Sequence, residues 1–235
     1  MSNNPSFEKN KILFYLSILG KEYRKLSKNK IQIILVGGAS IIVRYSFRIN
    51  SYDLDGLFAP LSDALKQAIH TVADQYNLPS NWLNDDFKYT NSYSINIIYY
   101  SEYFKTFSNV LEVRIINPTH LIAMKLVSFR KYKNDLSDVV GVLLEEENRG
   151  HSITKEDVIT ALKELYGENY HQIVNDEALK TIDYLFISKI RWKELIDDYK
   201  DKEISNRQIL IDNSRDIQSK KSAEEIKNMI KKMKI

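Results

Sequence analysis

Residues 37–55 read Gly37-Gly38-Ala39-Ser40-Ile-Ile-Val-Arg-Tyr-Ser-Phe-Arg48-Ile-Asn-Ser51-Tyr-Asp53-Leu-Asp55. The apolar run Ile31 to Val36 leads straight into the two glycines. A short apolar helix follows, and Asp-Leu-Asp sits inside a second run that ends at Leu57-Phe58. Alternate residues of a strand point to one face. Asp53 and Asp55 therefore present two carboxylates side by side, with Leu54 turned away. Hard cations such as Mg²⁺ or Mn²⁺ take oxygen ligands, and one or two carboxylates together with substrate phosphates hold them. The spacing predicts a metal-binding pair.

The glycines supply the other half of the pattern. A Gly-Gly turn after a strand lets the backbone bend sharply and approach a ligand. The helix that starts near Ala39 then aims its free N–H groups and positive end at the same place, which suits a phosphate. Ser40, in its first turn, adds a hydroxyl. The arrangement resembles the nucleotidyltransferase fold of the DNA polymerase β type, in which a Gly-Gly or Gly-Ser turn holds the triphosphate and a later Asp-x-Asp or Asp-x-Glu strand binds the metals. That resemblance implies an α+β fold, an NTP substrate and a Mg²⁺ or Mn²⁺ cofactor.

The chain has 235 residues, with 43% hydrophobic and 28% charged, an ordinary globular composition. There is no Cys, so disulfides and thiolate metal sites are excluded. No apolar run approaches the ~20 residues of a membrane span, and Met1-Ser-Asn-Asn-Pro lacks the features of a signal peptide. A cytoplasmic location without membrane attachment is the expectation. Thirty-four basic against 31 acidic residues give a net charge of only +3, too balanced to argue for nucleic acid from bulk electrostatics. A basic surface would have to be local, and Lys220 to Lys234 is the clearest candidate. The four histidines share no metal-ligand spacing.

Periodicity predicts a leading helix over Phe7 to Leu26, a strand over Ile31–Val36, a helix over Ala39–Tyr45 and a strand over Tyr52–Phe58. A helix opening at Pro60, a polar stretch from Ser80 to Asn91, and strands over Tyr93–Tyr100 and Val110–Ile116 follow. From Asn117-Pro118 onward nearly every segment reads as helix, including one long helix over Asp176 to Tyr199 and another after Ser222. Thr154-Lys-Glu-Asp157 and Ser222-Ala-Glu-Glu225 have the form of capping boxes. The expected organisation is a small mixed β-sheet flanked by helices over residues 1–117 and an all-helical part over 118–235.

A second cluster lies in the helical part. Leu121, Lys125 and Phe129 share one helix stripe, and a lysine between apolar neighbours is unusual because buried Lys needs a partner. Arg130-Lys-Tyr-Lys-Asn-Asp135-Leu-Ser-Asp138 follows, where Asp135 also fits a helix cap. The motifs Gly37-Gly-Ala-Ser40, Ser51-Tyr-Asp53-Leu-Asp55 and Leu121-Ile-Ala-Met-Lys125 with Arg130, Asp135 and Asp138 resemble, over roughly residues 31–144, a bacterial and archaeal family of nucleotidyltransferase-fold proteins similar to the AbiE-type toxins of toxin–antitoxin systems. The resemblance implies that Asp53 and Asp55 bind metal and nucleotide, and that Lys125 with Asp135 or Asp138 completes the catalytic set. It also implies nucleotide contacts from Gly37, Gly38, Ser40, Arg48, Ser51 and Lys125. Arg48 stands one position farther from the first Asp than the family's basic residue. Glu112, the only acid on the Val110–Ile116 strand, is the candidate for a third metal ligand. Transfer of a nucleoside monophosphate from an NTP to an acceptor hydroxyl of RNA (a tRNA-like acceptor) or protein is the implied reaction. The alternative is a catalytically weak binding module that acts through a protein partner such as an antitoxin.

Overall fold

The computed structural model describes residues 6–217. The basic tail and the capping box at Ser222 lie outside them. Among the described residues, eight α-helices and five strands run in the order α1 (Lys9–Leu26), β1 (Ile31–Leu35), α2 (Gly37–Arg44), β2 (Leu54–Ala59), α3 (Asp63–Tyr76), β3 (Leu83–Asn84), β4 (Ser101–Phe107), β5 (Leu111–Ile116), α4 (Pro118–Ser128), α5 (Asp135–Asn148), α6 (Lys155–Tyr166), α7 (Asp176–Ile187) and α8 (Trp192–Ile217). The strands form one mixed sheet in the order β3-β2-β1-β5-β4, with β1 antiparallel to β2 and parallel to β5. The protein is an α+β fold: a five-stranded sheet flanked by helices and followed by a helical part. No described helix is long and apolar enough to cross a membrane.

Period-two alternation in β1 decides what covers each face of the sheet. Ile31, Ile33 and Leu35 pack with Ile12, Leu16 and Leu19 of α1 and with Leu65, Ile69 and Val72 of α3. Ile34 and Val36 point the other way, into a second core with Leu57, Ile116 and the apolar faces of α4 to α8. That second core joins sheet to helices across the expected boundary near Asn117. Burying such side chains stabilises by roughly 1.5–3 kcal/mol each.

Several elements differ from the sequence expectation, each for a local reason. The helix expected from Pro60 starts at Asp63 instead, where Ser62 caps it by accepting from the Leu65 N–H. Tyr93–Tyr100 is not a strand. Ile95–Ile98 forms a 3₁₀ turn, because Ser94 caps it and the Asn96 side chain donates to the Glu164 carbonyl. The sheet's edge strand is β4, just beyond. The long helix expected over Asp176 to Tyr199 breaks at Ser188, where a 3₁₀ turn spans Lys189–Arg191. Trp192, 1% exposed, folds back there and donates its indole N–H to the Leu185 carbonyl at 2.7 Å. The Thr154–Asp157 capping box forms as expected.

Candidate active site

At the end of β1 the chain turns through Gly37, whose φ of +55° lies in the left-handed region that favours glycine. A Cβ on Gly37 would lie 3.3 Å from Asp55 Oδ2, and one on Gly38 would lie 2.6 Å from Arg48 Nη2 and 3.0 Å from Ser51 Oγ. Gly37 is favoured by its backbone conformation beside a carboxylate, and a side chain at Gly38 would have to displace the end of Arg48. The turn leads into α2, whose first N–H groups have no partner within the helix. Ser40 is 1% exposed, and its hydroxyl donates to the Gly37 carbonyl at 2.8 Å. That bond ties the first turn of the helix to the glycine turn.

β2 begins at Leu54, so Asp53 stands just outside the strand and Asp55 just within it. Leu54 is fully buried among the α1 and α3 side chains, as alternation requires. Asp53 is exposed, Asp55 half-buried, and Ser51 Oγ reaches Asp53 Oδ1 at 3.5 Å. Burial and then the neighbouring Asp53 charge push the Asp55 carboxyl up to about 6, against the pull of Lys125 and Arg130. A carboxyl raised in part by a neighbouring carboxylate gains from a nearby positive charge.

The opposite wall supplies cations. Lys125 of α4 is 7% exposed, and its Nζ lies 2.9 Å from Asp135 Oδ1 and 2.8 Å from Asp138 Oδ2. Burial favours the neutral amine, but the two carboxylates outweigh it and raise the Lys125 pKa. Asp135 also takes Arg130 through Nε at 2.9 Å, Nη2 at 3.1 Å and the backbone N–H at 2.9 Å. Burial works against its ionised form, yet Lys125 and Arg130 hold that carboxyl well below the usual range. Asp138 is shared with Arg48, whose Nη1 lies 2.5 Å from Oδ2. A continuous ion network therefore runs from Arg48, over Gly38, through Asp138, Lys125 and Asp135 to Arg130. Charge-assisted bonds of this kind fix geometry as well as add energy. Asp135, with both oxygens engaged, positions cations and has no free lone pair directed at a reacting group.

Between these walls lies an open cleft of about 380 Å³, a volume that includes the solvent at its mouth. Asp55, Lys125 and Arg130 give its lining charged groups, Phe87, Leu121 and Met124 apolar ones, and Thr90, Ser92 and Ser128 hydroxyls. The residues around Phe87 come from the stretch that the sequence suggested only as polar and turn-like.

The structure brings together Gly37, Gly38, Arg48, Ser51, Asp53, Asp55, Lys125, Asp135 and Asp138. It does not bring Glu112 to them, and the expectation of Glu112 as a metal ligand is corrected. In the β1–β5 register Glu112 pairs with Gln32, while Asp55 sits level with Val36, whose N–H donates to the Asp55 carbonyl. Four residues of strand separate the two levels, about 13 Å at roughly 3.3 Å per residue. Glu112 instead accepts from Gln32 Nε2 at 2.9 Å and pairs with Arg114. Among the described residues no group of three or more His, Cys, Asp or Glu is placed to hold a metal.

Sequence reasoning missed Glu203, Asn206 and Arg207 of α8. Glu203 is 3% exposed and accepts from the N–H groups of Leu136 and Ser137 at 2.9 and 3.2 Å and from Ser137 Oγ at 2.5 Å. Its carboxyl is pushed up to about 7, chiefly by burial, with the Asp138 charge adding to it. The i, i+3, i+4 spacing of the three polar residues on one helix face was the available signal.

A family described as nucleotidyltransferase of unknown function (DUF6036) matches residues 15–200. No curated protein and no solved structure is detectably similar to the chain. The matched span contains the glycine turn, the Asp53–Asp55 pair and the Lys125 network and covers well over half of the chain, and so the protein belongs to that nucleotidyltransferase family.

Proposed function

We propose that the protein binds an NTP and a divalent cation in this cleft and transfers the nucleoside monophosphate to an acceptor hydroxyl. The observation that carries this reading is the Asp53–Asp55 pair facing the Gly37–Gly38 turn, with Lys125 and Arg130 on the opposite wall. The donor set fits the cation: hard carboxylate oxygens, one on a group whose pKa is raised by burial and then by the Asp53 charge. When bound, such a cation supplies charge neutralisation on the phosphates.

The chain's own residues would do the rest. The Gly37–Gly38 turn and the start of α2 cradle phosphate oxygens. Arg130, 40% exposed in its side chain, and Lys125 face the negative charge that grows on the departing pyrophosphate. Phe87, Leu121 and Met124 receive the apolar face of base or sugar. In the transfer, the acceptor oxygen bonds to the α-phosphorus, the bond to the bridging oxygen breaks, pyrophosphate leaves and the acceptor proton is released to solvent. Ser51 orients Asp53 and Arg48 braces Gly38. The resemblance of the sequence motifs to those of AbiE-type toxins is the ground for an RNA or protein hydroxyl as the acceptor and for a toxin role opposed by an antitoxin.

One observation favours a second reading, a nucleotide-binding module with little turnover. Across β1 from Asp55, β5 offers Ile116 and, two residues back, Arg114, not an acid. Incubation with α-labelled NTPs, Mg²⁺ or Mn²⁺ and candidate acceptors separates the two. Label on an acceptor, absent in Asp53→Asn, supports transfer. Metal-dependent NTP binding without any label supports the module, and no NTP binding at all refutes both.

A further inference from the structure

α5 carries both acids that hold Lys125, at its first and fourth residues, yet its own N-cap does not serve it. Asn134 makes no side-chain bond to the helix start. Its Oδ1 is turned outward and accepts from Arg207 Nη2 at 2.8 Å. The capping role passes to Glu203, which accepts from the Leu136 and Ser137 N–H groups and from the Ser137 hydroxyl. The segment before the helix is bound to the same face of α8. Asn206 Nδ2 donates to the Lys131 carbonyl at 2.9 Å, and Arg207 Nε donates to the Tyr132 carbonyl at 3.1 Å. Residues 131, 132, 134, 136 and 137 are thus all bonded to α8, from partners some 66 to 75 positions away in sequence.

We propose that Glu203, Asn206 and Arg207 are positioning residues for the nucleotide site. They fix the first turn of α5 and the loop before it, and through Asp135 and Asp138 they set where Lys125 and Arg130 stand in the cleft. The inference rests on the function proposed above. All three residues lie beyond residue 200, where the family match ends, so the support comes from a part of the chain that the family pattern does not include. A helix start without a cap loses about 1 kcal/mol and frays. Fraying here moves Asp135, whose two oxygens hold both cations. A shift of about 1 Å in such groups costs up to about a hundredfold in function.

The test uses the full chain and four variants: Glu203→Ala, Glu203→Gln, Arg207→Ala and, as control, Ile196→Val in the buried face of α8. Hydrogen exchange over residues 130–138 and affinity for a fluorescent ATP analogue with Mg²⁺ are measured beside thermal melts. Glu203→Ala and Arg207→Ala should speed exchange in that segment and weaken nucleotide affinity by about tenfold to a hundredfold. Glu203→Gln, which keeps an acceptor oxygen, should restore most of both. Unchanged exchange over 130–138 overturns the proposal. So does unchanged affinity in a variant that does open the segment, or an affinity loss in Ile196→Val as large at equal melting loss. A wild type that binds no nucleotide refutes the proposed function itself, and the positioning role falls with it.

Discussion

The buried ion network ranks two substitutions in an order that side-chain character alone would reverse. Lys125 stands on an apolar helix stripe, where Met is a natural occupant, and Asp135→Asn is nearly isosteric. On those grounds Asp135→Asn should be the milder change. The network states the opposite. Arg48, Lys125 and Arg130 face Asp135 and Asp138, three cations against two acids. Lys125→Met leaves two cations and two acids, and each acid keeps an arginine. The cost is the loss of two charge-assisted hydrogen bonds, offset by release from burying an ammonium, or about 1–2 kcal/mol. Asp135→Asn leaves three cations against one acid and removes the charge that accepts four hydrogen bonds. Breaking a buried pair in this way costs about 3–5 kcal/mol. Arg130 is 40% exposed in its side chain and can turn to solvent, which places the expected loss at the lower end, about 3 kcal/mol.

Urea denaturation followed by circular dichroism, in chelator so that no cation contributes, measures both. Unfolding free energies should fall by about 3 kcal/mol in Asp135→Asn and about 1–2 kcal/mol in Lys125→Met, with unchanged urea dependence. Adding 0.5 M salt should barely change the difference, because the groups are shielded from the ionic atmosphere. A larger loss in Lys125→Met than in Asp135→Asn, or a loss under about 1 kcal/mol in Asp135→Asn, refutes the reasoning.

Asp55 has a raised native pKa of about 6 against 3.8, so its contribution is fully present below pH 3.8 and lost as pH rises through 6. Allowing for its partly open face, Asp55→Asn should gain about 2 kcal/mol at pH 7.5 in chelator and flatten the melting profile between pH 4 and 7. A destabilised variant, or an unaltered profile, counts against the assignment. Glu203, raised to about 7 from 4.5, makes the same kind of contribution, lost as pH rises through 7. The melting temperature of Glu203→Gln should therefore vary less than wild type between pH 5 and 8, and equal slopes would contradict this. Gly38→Ala places a methyl 2.6 Å from Arg48 Nη2 and should cost about 1 kcal/mol by displacing the guanidinium. In an Arg48→Ala background that cost should vanish, and a persistent penalty would show that the backbone, not Arg48, demands glycine.

Much of the site was legible because its chemistry is local. Asp55 turns away from Leu54, which is fully buried, as alternation requires, with Asp53 just before the strand, and the two glycines mark places where a side chain would meet Asp55 or Arg48. Lys125 was legible as an anomaly, since a lysine on an apolar stripe needs a partner, but its partners were not. Asp135 opens a helix, where the ordinary function of an acid is to cap. Only the packing of α5 against α4 turns it inward, while the cap comes from Glu203 far along the chain. Periodicity reports which face of a helix is buried and is silent on what that face meets. The lining from Phe87 to Ser92 was hidden for a different reason: short 3₁₀ turns carry no periodic signal.

Glu112 shows where the limit falls in a sheet. Its face was correctly read, since it shares β5's alternation with Arg114, opposite Leu111 and Val113. A period of two fixes a face and nothing else. Height along the strand is set by the hydrogen-bonded neighbour, and the parallel pairing of β5 with β1 puts Glu112 beside Gln32 and Ile115 beside Leu35. A third acid on β5 would therefore have to sit near Ile116 to join the pair, a position whose side chain is fully buried against α4 and the rest of the helical core. The β5 strand has used that level for packing, and so the cations of α4 and the following loop, held by α5 and α8, carry the electrostatic balance that a third carboxylate would have shifted.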